Sequence, residues 1–169
     1  TLAQIEVRIV AETRNYGLAL GRMAVRWESE GGTPPSVWTR DARAYARDYD
    51  GQRALVWADA SMALQRVEPL PGNRGLVGLD LGGIRVARRA LDDARRSGTV
   101  LASPIFEVPD VGAVALLCAP IFIDGVSDGF VIAVLAAQEF LESVIDPRVR
   151  GSYDVALYEG GHTLRLGDP

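Results

Sequence analysis

Residues 53–69, RALVWADASMALQRVEP, decide the fold. Arg53 to Ala60 and Leu64 to Pro69 are short runs carrying branched and aromatic side chains, joined by a turn through Ser61, and they predict two successive strands. Alternation puts Leu55, Trp57 and Asp59 on one face of the first strand and Ala54, Val56 and Ala58 on the other.

Before Gly51 the period is helical. Apolar side chains at Leu2, Ile5, Ile9, Tyr16, Leu20, Met23 and Trp27 are spaced mostly by three and four, predicting one long helix whose stripe serves a partner helix or the domain behind it. Gly31 to Pro35 break it, and Thr33 before Pro34 is read as the cap of a second helix running to about Asp50. Trp38, Ala42, Tyr45 and Tyr49 share one face of that helix. Beyond the two strands, Asp80 is expected to cap a third helix with Ile84, Ala87, Leu91 and Ala94 buried, ended by Gly98. Three further strands are expected at Val100 to Val108, Ala113 to Phe122 and Gly129 to Ala136. The turn formers of IDGVSDG link the last two. Phe130 to Leu135, FVIAVL, is apolar throughout, as in a central strand covered on both faces. A short helix from Gln138 to Ile145 and a hairpin of Tyr153 to Tyr158 and Thr163 to Leu166, with Glu159-Gly160-Gly161 as its turn, complete the chain. The fold class is α+β: a five-stranded antiparallel sheet flanked by helices behind a long N-terminal helix. Residues 1–32 are read as a stalk and 33–169 as the folded domain.

Composition narrows the function. With 169 residues, 48% of them apolar, the chain can close a core without staples. Its net charge is −4, every basic residue is arginine, and no basic run supplies the electrostatic affinity that nucleic acid demands. Cys118 and His162 are the only residues of their kinds, which leaves no Cys/His set for a metal and points to no cofactor. The longest apolar run, Val111 to Ile123, contains Pro120 and is short of the roughly 20 residues a membrane span needs. A start within a helical pattern, without methionine or signal peptide, is expected of a segment lying between two membrane spans.

The motif series narrows it further. In ALVWADASMALQRVEPLPGN, residues 54–73, a strand ending in Trp-x-Asp-x-Ser is followed by one ending in Pro and then Gly-Asn. GLDLGGIRVARRALDDARRSG, residues 78–98, then LASPIFEV, CAPIF and SDGFVIAVL follow in order. The series resembles CHASE-type, PAS-like (Cache-like) extracytoplasmic sensor domains over roughly residues 20–158. It departs at Arg66, where an aromatic is expected, and at PDVGAV before the fourth strand. The resemblance implies a ligand-binding input domain of a membrane-anchored bacterial receptor, such as a histidine kinase or diguanylate cyclase. It implies an unidentified small-molecule ligand, a homodimer through the first helix, and no catalytic role.

A sensor pocket needs apolar walls and a few convergent polar groups. The residues read as ligand-binding are Trp57, Asp59, Arg66, Glu68, Asp80, Arg88 and Ser103. Trp57 and Asp59 share a strand face, Arg66 and Glu68 share another and suit either each other or a zwitterion, and Arg88 follows a glycine-rich helix start at Asp80. Five of them have a structural alternative: core packing for Trp57, an Asx turn for Asp59, a surface pair for Arg66 and Glu68, and a solvated face for Arg88. Cys118, inside an apolar run, is read as a small buried hydrophobe. Rival functions are a cytosolic PAS- or GAF-like regulatory module, a small hydrolase or transferase using Asp59, Asp80 or Cys118, and a module that only dimerises.

Overall fold

Helix α1 (Leu2–Ser29) is continuous over 28 residues, as its spacing requires. From Tyr16 onward the expected stripe turns inward: Tyr16, Leu20, Met23, Ala24 and Trp27 are buried. Complete burial of a side chain like Leu20 contributes about 1.5–3 kcal/mol. Of the two uses open to the stripe, the domain behind it therefore takes this half. Before Tyr16, Ile5 and Ile9 are only partly buried against the same core. Helix α2 (Pro35–Asp48) has Pro34, not Thr33, at its cap position, and Trp38, Ala42 and Tyr45 face the core. The carbonyl of Thr33 instead accepts from Arg66. Gly51 (φ +76°) then turns the chain into the sheet, at a point where a Cβ would lie 2.4 Å from the Cα of Phe140.

The computed structural model describes residues 2–151, 155–159 and 161–166. Its main sheet contains β1 (Gln52–Asp59), β2 (Leu64–Glu68), β3 (Leu101–Ala102), β4 (Phe106–Val108), β5 (Gly112–Ile123) and β6 (Val126–Ala136). The order is β2-β1-β6-β5-β3, with β4 also on β5, and every pairing is antiparallel. The expected third strand is thus two pieces. Pro104 has no N–H for the ladder, and the Ser103 hydroxyl takes over, accepting from Leu116 N (2.9 Å) and donating to the Pro104 carbonyl (2.8 Å). Asp124 and Gly125, both with positive φ (51° and 77°), make the two-residue corner between β5 and β6.

β6 is central, and Phe130 to Leu135 are all buried. Val131, Ala133 and Leu135 join the core under α1 and α2, whereas Phe130, Ile132 and Val134 join a second core under helix α3 (Arg85–Ser97). Asp80 does not cap α3. It caps the preceding 3-10 turn, Leu81–Gly83, accepting from Gly82 N at 2.8 Å, and α3 starts only at Arg85. Gly98, with φ +66°, ends α3 as expected.

Helices α4 (Ala137–Val144) and α5 (Pro147–Arg150) lead to a hairpin of β7 (Val155–Glu159) and β8 (His162–Leu166). Tyr153, with which the hairpin was expected to begin, and Gly160 in its turn lie outside the described residues. Leu164 and Leu166 are buried in the α1-side core, and Glu159 accepts from Ile105 N (2.8 Å) at the break between β3 and β4. The architecture is the expected α+β, PAS-like one.

Candidate functional site

Four of the seven expected ligand residues hold the scaffold or face solvent. Asp59 is the pivot of the β1–β2 turn: one carboxylate oxygen accepts from Ser61 N (2.9 Å), Ser61 Oγ (2.6 Å) and Ala63 N (3.2 Å), and the other from Gln65 Nε2 (2.7 Å). Burial alone would raise its pKa, but these hydrogen bonds outweigh it and hold the carboxyl below the ordinary range. Asp80 caps its 3-10 turn and Ser103 stitches β5 at the strand break. Arg88 lies on the outer side of α3 and pairs with Asp92, one turn on, at 3.7 Å. Asn73 of the Gly-Asn motif is structural as well: it is buried, donates to the carbonyls of Arg53 (3.2 Å) and Pro69 (2.9 Å) and accepts from Arg53 Nε (3.1 Å).

The layer between the sheet and α3 is filled. Ala54, Val56 and Ala58 of β1 and Ile132 of β6 pack with Ala87, Leu91 and Ala94 of α3, all of them at most 0% exposed. Small residues on both surfaces bring helix and strands close together. Cys118 is buried in this layer, which pushes its thiol pKa up to about 12, the setting of an inert thiol.

The remaining three residues gather on the opposite side of the sheet. Trp57 stacks on Trp27 of α1 (5.2 Å between centroids, 17° between planes), and Trp38 of α2 meets Trp27 edge-on at 5.9 Å. Arg66, paired across the strands with Trp57, holds its guanidinium 5.5 Å from the Trp27 centroid and 5.6 Å from that of Trp57. Its Nη1 donates to the Thr33 carbonyl at 2.8 Å. Arg66 and Glu68 do not pair with each other, because Glu68 faces Arg43 of α2 at 3.4 Å. The end of α1 is fastened to the sheet from both sides: Trp27 Nε1 donates to Asp128 (2.9 Å), and Glu28 accepts from Phe122 N (3.0 Å). Sequence reading missed that Trp27 joins both Trp57 and Trp38. Their helical periodicity marked them as inward-facing without showing that they face one another.

Lower on α1, Tyr16 donates to the Asp50 carbonyl and Tyr45 to the Tyr16 carbonyl (2.8 Å). Burial foremost, then Glu12, Asp50 and Tyr49, pushes the Tyr16 pKa up to about 12. Gly17 and Gly21 seat Val100, whose methyl groups lie 3.6 and 3.5 Å from where their Cβ atoms would be. A groove of about 1420 Å³ runs round this part of α1, past Val10, Leu18, Val25, Tyr45 and Val100. It exceeds the roughly 300–1000 Å³ of ordinary ligand pockets and is the relief of an unpartnered helix face. No group of three or more His, Cys, Asp or Glu suited to a metal occurs among the described residues. No helix among them is long and apolar enough to cross a membrane.

Solved structures share this fold. An extracellular ligand-binding receptor from Desulfohalobium retbaense DSM5692 superposes with a TM-score of 0.63 at 16% identity, over 86% of this chain and 27% of that one. The extracellular domain of the histidine kinase rpHK1S-Z16 gives 0.59 at 18% identity, over 86% and 64%. The ligand-binding domain of the Pseudomonas aeruginosa PAO1 amino acid chemoreceptor PctC, in complex with GABA, gives 0.63 at 14% identity, over 96% and 71%. The chain thus spans about a quarter of the first of these and under two thirds of the second. A comparison with curated proteins finds no match. The model of the CHASE domain matches residues 19–164, from within α1 to within β8. The match spans most of the chain, and the chain belongs to the CHASE-domain family and is an extracytoplasmic sensor domain.

Proposed function

We propose that this domain is the input module of a membrane receptor, a histidine kinase or diguanylate cyclase, in which binding of a small molecule repositions α1 within a homodimer. The observation that carries this reading is the two-sidedness of α1. Tyr16, Leu20, Met23 and Trp27 bind it to the sheet and α2, while Val7, Leu18 and Val25 stay 69%, 53% and 61% exposed. At about 3.6 residues per turn, those three project from the line opposite the buried stripe. One face therefore follows the sensor and the other is free for a second copy. Leu20 and Met23, being inward, are not the dimer seam.

Of the expected ligand residues, Trp57 and Arg66 are proposed as contacts, because both touch α1 while belonging to the sheet. The related sensors named above include one holding GABA, and the Campylobacter jejuni chemoreceptor Tlp3, similar at a TM-score of 0.52 and 8% identity, was solved with L-valine. Amino acids therefore head the screen. Three measurements test the reading. Alkaline-phosphatase fusions to the full-length gene product are expected to be active outside the cytoplasm. Disulfide trapping of Val7→Cys or Leu18→Cys in the intact receptor is expected to capture dimers. A thermal-shift screen of amino acids and related small molecules is expected to yield a stabilising ligand. Inactive fusions, or no trapped dimer at either position, would refute it.

A further inference from the structure

We infer that Arg14, on the free face of α1, makes the pairing of two copies conditional on a divalent oxyanion bound between them. The inference rests on the homodimer reading above and names what that dimer lacks. Arg14 follows Val7 by seven residues, about 20° short of two helical turns, and precedes Leu18 by four, so it falls on the line that Val7, Leu18 and Val25 draw along the helix. Val10, Ala11, Gly17 and Leu18, one turn before and after it, carry no charge. Arg14 stands exposed at the edge of the groove along α1, and among the described residues no carboxylate comes within ion-pair distance of it. The carboxylates of α1 itself are placed elsewhere. Glu6 and Glu12 lie about 100° and 140° round the helix from Val7, and Glu28 accepts from Phe122 N.

Copies of a receptor held in one membrane meet in parallel, and in a two-fold pair of parallel helices each seam residue meets its own counterpart. Val7, Leu18 and Val25 then bury one another, whereas Arg14 meets a second Arg14 with no carboxylate beside it. Like charges set against each other in this way oppose association. An anion between them reverses the sign. Two guanidinium forks approaching from opposite sides of the axis present two pairs of N–H donors, and a tetrahedral dianion such as sulfate or phosphate offers a pair of oxygens to each. Chloride has no paired acceptors, and a monocarboxylate fills only one fork. Ala11 and Gly17 flank Arg14 with little bulk, which leaves room for the anion beside the seam.

Sedimentation equilibrium in sodium sulfate, sodium acetate and sodium chloride, at matched low ionic strength and fixed pH, measures dimerisation of the wild type, Arg14→Met and Arg14→Lys. Arg14 has no partner to lose within its own copy and both replacements are good helix formers, so the variants are expected to fold as the wild type does. The wild type is expected to dimerise about tenfold more tightly in sulfate than in chloride. Arg14→Met is expected to dimerise alike in all three salts, and more tightly than the wild type in chloride. Arg14→Lys should keep the repulsion and lose most of the sulfate gain, because an ammonium lacks the fork. A sulfate gain that persists in Arg14→Met is general salting-out and overturns the proposal, as does a wild type indifferent to sulfate. Dimerisation weakened by Arg14→Met also overturns it, by placing a carboxylate of the second copy on Arg14. An equal gain in acetate overturns the assignment to a dianion. Dimers trapped through Leu18→Cys in the intact receptor keep the homodimer reading standing through each of these failures, and only the absence of trapped dimers removes that reading itself.

Discussion

Gly17 and Gly21 sit inside α1, where glycine costs about 0.8–1.0 kcal/mol relative to alanine. Each faces Val100, and an alanine Cβ would lie 3.6 or 3.5 Å from its methyl groups, at ordinary contact distance. Gly17→Ala and Gly21→Ala are therefore each expected to stabilise the domain by about 1 kcal/mol, through helix propensity and a gained contact. Both touch Val100, so the singles and the double are measured together, with about 1.5–2 kcal/mol expected for the double. In a chain of this size that corresponds to a melting-temperature rise of roughly 3–8 °C. Urea unfolding at pH 7 is the assay, and the midpoint should rise at constant slope. Leucine at either position has to expel Val100 from its seat and should destabilise. Destabilisation by alanine beyond about 0.5 kcal/mol, or leucine as benign as alanine, would refute this packing of α1 against the linker after α3.

Asp59→Asn should cost about 1–3 kcal/mol at pH 7 by weakening the turn's hydrogen bonds. Because the folded pKa is depressed, the wild-type advantage is complete above the unfolded carboxylate's pKa of about 3.9 and is lost as pH falls through the folded value; an advantage that grew on acidification would contradict this. Cys118 should resist a thiol reagent at pH 8 and react once per chain in denaturant, whereas rapid native modification would show that the α3-side layer is open. Gly129→Ala should abolish folding or cost more than about 3 kcal/mol, because its Cβ would lie 2.1 Å from the Ala58 carbonyl oxygen at φ +134°; near-native unfolding midpoints would exclude the β1–β6 register.

Much of the scaffold was legible because it is written in period and punctuation. The three-and-four spacing of α1, the unbroken FVIAVL of β6, the Asp-Gly corner and the glycines at 51 and 98 are local signals with local causes. The sites were less legible. Asp59 was legible both as a ligand contact and as an Asx turn, and it holds its turn, since a carboxylate two residues before a serine has backbone donors within immediate reach. Ser103 was read on a continuous strand, although Pro104 withholds the N–H such a strand needs. Trp27 and Trp38 come together with Trp57 only once α1, α2 and β1 are packed, and no window of sequence contains that meeting. The layer under α3 is closed by alanines, whose effect depends on how near two surfaces approach and not on their order along the chain.

β6 is oily on both sides, and this leaves its alignment unguarded by polarity. Sliding it by one residue would exchange Phe130, Ile132 and Val134 for Val131, Ala133 and Leu135 without carrying any charge inside, so misaligned forms differ from the native one mainly in bulk. Alignment falls to hard geometry: the tight Asp124-Gly125 bend, which fixes where the strand begins, and the side-chain-free passage at Gly129. A slip of this strand would thus scramble both interiors at once.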